Sequence, residues 1–99
     1  MKKKITIITV VKNAENTLEN CMKSVLSQNY DNLEYIVIDG NSSDGTSEVI
    51  KKAIRNQKKI KNKRKKDKNL YQALNRGIKI AKGDFLLFLN NDTEVTPNF

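Results

Sequence analysis

The residues best suited to bind a ligand are polar side chains that directly follow three apolar segments. These junctions are Val11 to Lys12-Asn13, Ile38 to Asp39, and Leu89 to Asn90-Asn91-Asp92. Carboxylate oxygens accept hydrogen bonds from a nucleobase or a ribose hydroxyl, and they are also the ligands that hard divalent cations prefer beside phosphates. The two carboxylates, Asp39 and Asp92, therefore indicate a site for a ligand that carries both a hydrogen-bonding base and a diphosphate.

The pattern of apolar residues predicts the elements that position these side chains. Three segments rich in β-branched or other apolar residues, 5–11, 33–38 and 85–89, are typical of buried strands. Between these segments, apolar residues recur at the spacing of helices. The resulting order, β-α-β-α-(basic loop)-α-β, predicts a three-layer α/β/α fold with a mostly parallel sheet. Ligands of such sheets bind beyond the carboxyl ends of the strands, so we expect Asp39 and Asp92 to converge.

Two residues of the turns are assigned to helix ends. Asp44 lies in a cluster of turn-forming residues before the second helix, and we predict that it caps that helix. Gly83 follows the third helical pattern and is placed to cap its end. The cysteine, Cys21, falls beside Met22 on the first helix and is predicted to be a small core residue.

The net charge of +8 is concentrated in one segment. Residues 51–68 contain eleven Lys and Arg against one acid, Asp67, whereas the rest of the chain has eight basic and ten acidic residues, a net of −2. Because residues 58–68 are almost free of apolar side chains, we predict an exposed basic loop there. The segment lacks interleaved aromatic residues, which argues against a nucleic-acid partner. A non-catalytic anion- or nucleic-acid-binding α/β module that uses residues 51–68 is the alternative function.

Length and composition favour one domain, residues 1–99, in a reducing compartment. A single cysteine cannot form an intrachain disulfide. The apolar run after the N-terminal lysines is seven residues long and has no cleavage site after it, unlike a secretory signal. No segment reaches the roughly 18–20 apolar residues of a membrane span. These features predict a cytoplasmic protein, and they leave open peripheral association with the inner face of the membrane and assembly into a homo-oligomer.

Three blocks of the sequence resemble family 2 glycosyltransferases, which have the GT-A fold. The blocks are ITVVKNAENTLENCMKSVLSQNY, YIVIDGNSSDGT and DKNLYQALNRGIKIAKGDFLLFLNNDT. They resemble, in the family's order, its first strand and helix, its second strand and turn, and the block that leads into its DXD-like metal motif. The chain is therefore similar to the N-terminal part of that family, a truncated GT-A domain that keeps the Rossmann-like nucleotide-binding half.

The resemblance implies binding roles for six residues. In chain order these are Asn13, Asp39, Asp67, Asn90, Asn91 and Asp92. Asp39 would contact the base of a nucleotide-diphosphate sugar, Asp92 would hold Mg²⁺ or Mn²⁺ on the diphosphate, and Asp67 would line the donor site. The implied activity is transfer of the sugar to an acceptor, itself a sugar or lipid-linked, in polysaccharide, lipopolysaccharide or capsule biosynthesis of the cell envelope.

The sequence departs from the family pattern at several positions. Gly40 replaces a second acid, and lysines replace the Glu-Pro expected before Asp67. We expect the basic segment to displace the family's short third strand. Family members continue for well over another hundred residues, which supply the carboxylate base that deprotonates the acceptor. We therefore expect the base beyond residue 99, nominate no catalytic residue here, and predict that the chain is inactive alone.

Overall fold

The computed structural model describes residues 3–28, 30, 32–56, 60–64 and 70–90. The elements are β1 (Ile5–Val11), α1 (Leu18–Leu26), β2 (Leu33–Asp39), α2 (Thr46–Asn56), β3 (Ile60–Arg64), α3 (Leu70–Ile80) and β4 (Phe85–Phe88). The three apolar segments form β1, β2 and β4, as predicted. None of the helices in this described part is long and apolar enough to cross a membrane.

The four strands form one parallel sheet in the order β3-β2-β1-β4. All seven residues of β2 are buried, and alternate side chains point to opposite faces of the sheet. Ile7 and Tyr35 pack in the cluster that includes residues of α1 and α2. On the other face, Ile8 and Ile36 pack against Ala73 of α3. The predicted three-layer α/β/α arrangement is confirmed.

Residues 60–64 form strand β3, where the sequence predicted an exposed basic loop and the loss of a strand. That prediction was wrong. β3 pairs in parallel with β2, from Tyr35 opposite Ile60 to Asp39 opposite Arg64. Backbone pairing with a buried strand does not depend on side-chain polarity, and Ile60, which is 6% exposed, supplies the apolar contact. Ile60 is the one apolar residue in the sequence of residues 60–64, and one apolar residue cannot create the alternation by which strands are recognised in a sequence.

Lys61 of β3 has a buried partner. Its Nζ lies 2.6 Å from Oε2 of Glu34, whose side chain is 4% exposed. Oε1 of Glu34 accepts hydrogen bonds from the Thr6 hydroxyl and the Lys82 N–H, each over 2.8 Å. Burial raises the pKa of Glu34, but the hydrogen bonds, that from Lys61 foremost, outweigh it and hold the pKa below its usual value. This ion pair joins β3 to β2 at the end of the sheet opposite Asp39.

Gly83 does not cap α3, contrary to the prediction. The helix ends at Ile80, and Gly83 does not have the positive φ of a glycine cap. Its N–H donates to the Thr6 hydroxyl over 2.9 Å. A Cβ placed on Gly83 would lie 2.7 Å from the backbone nitrogen of Thr6. Glycine is needed here because the chain passes so close to β1.

β4 is the most exposed of the strands whose side chains are described throughout. Its aromatic side chains, Phe85 and Phe88, are 59% and 47% exposed, and Leu86 is 41% exposed. β4 pairs with β1 along one of its edges, from Ile5 opposite Phe85 onward.

Candidate functional site

The strand order defines one point at the carboxyl edge of the sheet. β1, β2 and β3 succeed one another in one direction, whereas β4 lies on the other side of β1. Ligands of open parallel sheets bind beyond the strand ends at the point where the order reverses. That point lies between Val11, the end of β1, and Phe88, the end of β4. Lys12 and Leu89 flank it, and Asp39 pairs in register with Val11.

Asp39 is fully buried at the end of β2. Its Oδ1 accepts hydrogen bonds from the Ser42 N–H over 2.9 Å and from the Ser42 hydroxyl over 2.7 Å. Asp39 therefore fixes the start of the turn between β2 and α2, as aspartates at turns often do. Because the side chain is not exposed, a ligand can reach the carboxylate only when neighbouring atoms move. Contact between Asp39 and a base stays a prediction.

Asn13 joins the loop after β1 to the turn after β2. Its φ of 52° lies in the left-handed region, which Asn tolerates better than most residues. Its Oδ1 accepts the Ser43 N–H over 2.7 Å and the Asp44 N–H over 3.4 Å. Its own N–H donates to the Ser42 hydroxyl over 2.9 Å. The structure shows Asn13 as a tether between two loops, and contact with a ligand stays a prediction.

Asp44 caps α2, as predicted. Its Oδ1 accepts the N–H of Thr46, the first residue of α2, over 2.9 Å, and its Oδ2 accepts the N–H of Glu15 over 3.3 Å. The hydrogen bond from the Thr46 hydroxyl is the main reason why the pKa of Asp44 lies below its usual value. The Thr46 hydroxyl in turn accepts the Ala14 N–H over 2.8 Å. The two loops thus form one hydrogen-bonded unit beside Asp39.

The polar segment after β4 contacts α1 at its first residue. The carbonyl oxygen of Asn90 lies 3.5 Å from Sγ of Cys21. Cys21 is fully buried, as predicted, and lies 3.8 Å from the Tyr35 hydroxyl, which hydrogen-bonds with the Thr9 hydroxyl over 3.0 Å. Burial raises the pKa of Tyr35 far above its usual value, so this hydroxyl stays protonated. Core residues therefore hold the backbone where the predicted metal motif begins.

Three of the predicted site residues, Asp67, Asn91 and Asp92, lie outside the described residues. Within the described ranges, no group of three or more His, Cys, Asp and Glu could hold a metal ion. Asp39 is buried and already hydrogen-bonded within its turn. The role of Asp92 as the ligand of a divalent cation stays a prediction, and the neighbouring Asn90 and Asn91 add amide oxygens. This all-oxygen donor set fits Mg²⁺ or Mn²⁺ in its chemistry.

Two basic residues at the same edge were not among the predicted site residues. Lys12 follows the last residue of β1 and is exposed. Arg64 is the register partner of Asp39 on β3. Lys12 stands at a predicted strand end, so its position could be found from the sequence. The position of Arg64 could not be found from the sequence, because β3 has no alternation of apolar residues and no local pattern encodes the order of the strands.

A surface groove of about 540 Å³ lies between α1 and α2. Its apolar lining comes from Met22, Leu26, Val49 and Ala53, and its charged rim from two acids and two lysines. No residue of the strand ends lines this groove. It is therefore separate from the polar edge around Asp39.

A comparison of whole sequences decides the family. The sequence profile of glycosyl transferase family 2 matches residues 6–99, a range that includes all the strands and helices except the first residue of β1. The chain belongs to this family. The resemblance inferred from three sequence blocks is thereby confirmed.

A curated relative from Escherichia coli carries a specific activity in its name. It is UDP-Glc:alpha-D-GlcNAc-diphosphoundecaprenol beta-1,3-glucosyltransferase WfaP, 36% identical over 88 residues, which are 89% of this chain and 35% of the relative. The chain spans between 14% and 35% of the lengths of five such relatives. It corresponds to about a third of these proteins or less.

Solved structures of two other proteins share the fold. S. aureus TarS 1–349 in complex with UDP-GlcNAc is 25% identical, with a TM-score of 0.86 over 94% of this chain and 28% of that one. The mannosyltransferase PcManGT from Pyrobaculum calidifontis, in complex with GDP-Man and Mn²⁺, has a TM-score of 0.88 at 21% identity, over 95% of this chain and 29% of that one. At that identity the second match shows the fold alone. The predicted GT-A type of α/β fold is confirmed.

Proposed function

We propose that this chain forms the nucleotide-sugar-binding part of a glycosyltransferase. Membership of glycosyl transferase family 2 supports this proposal. The observation that carries it is the polar carboxyl edge of the parallel sheet. There, Asp39, the tethered loop at Asn13 and the segment that starts at Asn90 all lie close to the reversal of strand order.

The donor would lie across this edge with its base toward Asp39 and its diphosphate toward the ends of β1 and β4. TarS 1–349, which is 25% identical, is known in complex with UDP-GlcNAc, and this complex supports a donor of this class. Asp92, with Asn90 and Asn91, would hold Mg²⁺ or Mn²⁺. When bound, the cation neutralises the charge that develops on the diphosphate as the sugar leaves. Asp67 would line the donor site.

The acceptor and the cellular place of the reaction are further parts of the proposal. The name of WfaP specifies an acceptor on a lipid diphosphate. We propose a sugar or lipid-linked acceptor in cell-envelope polysaccharide synthesis, at the cytoplasmic face of the membrane, and a catalytic base outside these 99 residues. The alternative module built on residues 51–68 is disfavoured, because part of that segment is strand β3 and Lys61 is paired with Glu34.

Titration of the ¹⁵N-labelled chain followed by NMR tests the proposal. UDP-GlcNAc, UDP-glucose and GDP-mannose are added in turn, each with Mg²⁺ and then with Mn²⁺. We expect one donor to shift the amide signals of Gly40 and Ser42, and Mn²⁺ to broaden signals near Asn90. If no donor shifts these signals at millimolar concentration, the chain has no donor site and the proposal is wrong.

A further inference from the structure

Four backbone N–H groups in the turn before α2 and at its first residue are hydrogen-bonded to side chains of the protein. In many α/β nucleotide-binding proteins, a phosphate binds to free N–H groups at the beginning of a helix. Here four N–H groups within five residues of chain donate to side-chain oxygens of the same protein. They belong to Ser42, Ser43, Asp44 and Thr46. A phosphate cannot bind these N–H groups without displacing Asp39, Asn13 and Asp44 from them.

Backbone N–H groups in the loop between β1 and α1, and at the start of α1, are also hydrogen-bonded to the protein. Three of its N–H groups donate to side chains of the β2–α2 turn or of α2, and two donate to the carbonyl of Ala14. They belong to Asn13, Ala14, Glu15, Thr17 and Leu18. These N–H groups of both loops can therefore bind an anion only if their present hydrogen bonds break. A basic side chain or a bound cation can provide positive charge for a diphosphate without breaking these hydrogen bonds.

Lys12 is placed to supply that positive charge. It follows β1 at the point where the strand order reverses, and it is exposed, whereas Asp39 on the neighbouring strand is fully buried. A Cβ placed on Gly40 would lie 3.7 Å from Cβ and 3.9 Å from Cδ of Lys12, so the stem of the lysine runs beside Gly40. Among the described residues, none pairs with the ammonium group of Lys12.

Other lysines with described ion pairs are engaged elsewhere. Lys61 pairs with Glu34, Lys23 with Glu19, and Lys51 with Glu48. Lys79 is exposed, but it lies in the last turn of α3, which leads to the opposite edge of the sheet, where the Lys82 N–H meets Glu34. Lys12 thus differs from them in combining exposure, the absence of a described partner and a position at the strand reversal.

We propose that Lys12 binds the phosphate groups of the nucleotide donor. This inference rests on the proposed function, and it adds a charged contact that the carboxylate pattern did not indicate. The ammonium group would bind phosphate oxygens by charge-assisted hydrogen bonds, independently of the base. Binding of the diphosphate would then depend on salt concentration and on Lys12, whereas binding of the nucleoside would depend on neither.

The test compares a nucleoside diphosphate with its nucleoside on the same chain, by NMR titration or calorimetry. UDP is compared with uridine, and GDP with guanosine, in the presence of Mg²⁺. Lys12→Gln is expected to weaken diphosphate binding about threefold to tenfold, without changing nucleoside binding. Lys12→Arg should keep most of the affinity, and the matched control Lys79→Gln should change neither ligand. Thermal denaturation checks that the variants remain folded.

Failure of the two proposals would look different. If neither diphosphate binds the unaltered chain, the proposed function is wrong and the role of Lys12 is wrong with it. If a diphosphate binds but Lys12→Gln has no more effect than Lys79→Gln, the donor site stands and the role of Lys12 is wrong. The role of Lys12 is also wrong if Arg64→Gln lowers the affinity and Lys12→Gln does not.

Discussion

Oδ1 of Asn13 accepts the backbone N–H of Ser43 over 2.7 Å and so joins the loop after β1 to the turn after β2. Lys12 follows β1 at the start of the first loop, and Asp39 ends the neighbouring strand β2 just before the second. Because the hydrogen bond fixes one loop against the other, it also fixes the edge on which the proposed donor lies.

Asn13→Ala should destabilise the chain more than Asn41→Ala does. Both residues have a positive φ, 52° at Asn13 and 69° at Asn41, so both variants lose the tolerance of Asn for the left-handed region. Only Asn13→Ala also removes the side-chain oxygen that accepts the N–H groups of Ser43 and Asp44. We expect a further loss of about 1–2 kcal/mol in the free energy of unfolding, measured by urea denaturation. Equal losses in the two variants would mean that the tether contributes nothing.

Asp39→Asn should weaken the binding of the nucleoside as well as of the nucleotide. The substitution keeps the size of the side chain and an oxygen for Ser42. It removes the negative charge and replaces the second oxygen, which would accept a base N–H or a ribose hydroxyl, with an NH₂ donor. We expect about a tenfold loss of affinity, since hydrogen bonds to charged groups are worth about 1.5–3 kcal/mol.

Asp84→Asn is the matched control for Asp39→Asn. Its carboxylate accepts the Lys4 N–H over 2.8 Å at the opposite edge of the sheet. Titration with uridine or guanosine, and with the matching diphosphate, measures both variants. An unchanged affinity in Asp39→Asn would remove Asp39 from the binding site and leave it as a turn residue.

Glu34 should make stability depend on pH. Its pKa is lower in the folded chain than in the unfolded chain, so the unfolded chain takes up the proton first as the pH falls. The stabilisation is therefore complete above the unfolded pKa of about 4.3 and is lost as the pH falls through the lower, folded pKa. Glu34→Gln should flatten the acid side of a plot of unfolding free energy against pH. Glu48→Gln should not, because the Glu48 side chain is 74% exposed and lies 3.8 Å from Lys51.

Gly83→Ala should destabilise the chain, whereas Gly40→Ala should change its stability little. A Cβ on Gly83 would approach the backbone nitrogen of Thr6 to 2.7 Å, and backbone in a buried strand cannot move aside cheaply. A Cβ on Gly40 would meet its nearest atom at 3.6 Å, an ordinary contact. We expect a loss of about 2–3 kcal/mol at Gly83 and a change within about 1 kcal/mol at Gly40. Similar melting temperatures for both variants would show that the backbone at Gly83 can move enough to accommodate a methyl group.

The sequence by itself determined the elements that have a strong local pattern. β1 and β2 are runs of β-branched and other apolar residues, and such residues must be buried wherever the chain places them, so their assignment did not need the fold. The capping role of Asp44 was also available, because it depends on the N–H of Thr46, two residues away. The family followed from three blocks in a fixed order, and the profile match over residues 6–99 confirmed it.

Only the tertiary structure decided the features that depend on distant partners. β3 is a strand because β2 lies beside it and Glu34 accepts Lys61, and neither fact is visible within residues 60–64. Gly83 is required by Thr6, which lies 77 positions earlier in the chain. Asn13 accepts the N–H of Ser43, which lies 30 positions later in the chain. The strand order β3-β2-β1-β4 places Lys12 at the point where the order reverses, and the pairing of β3 with β2 places Arg64 opposite Asp39. A local pattern shows that a residue must be buried or hydrogen-bonded, whereas the arrangement of the sheet determines which distant residue is its partner.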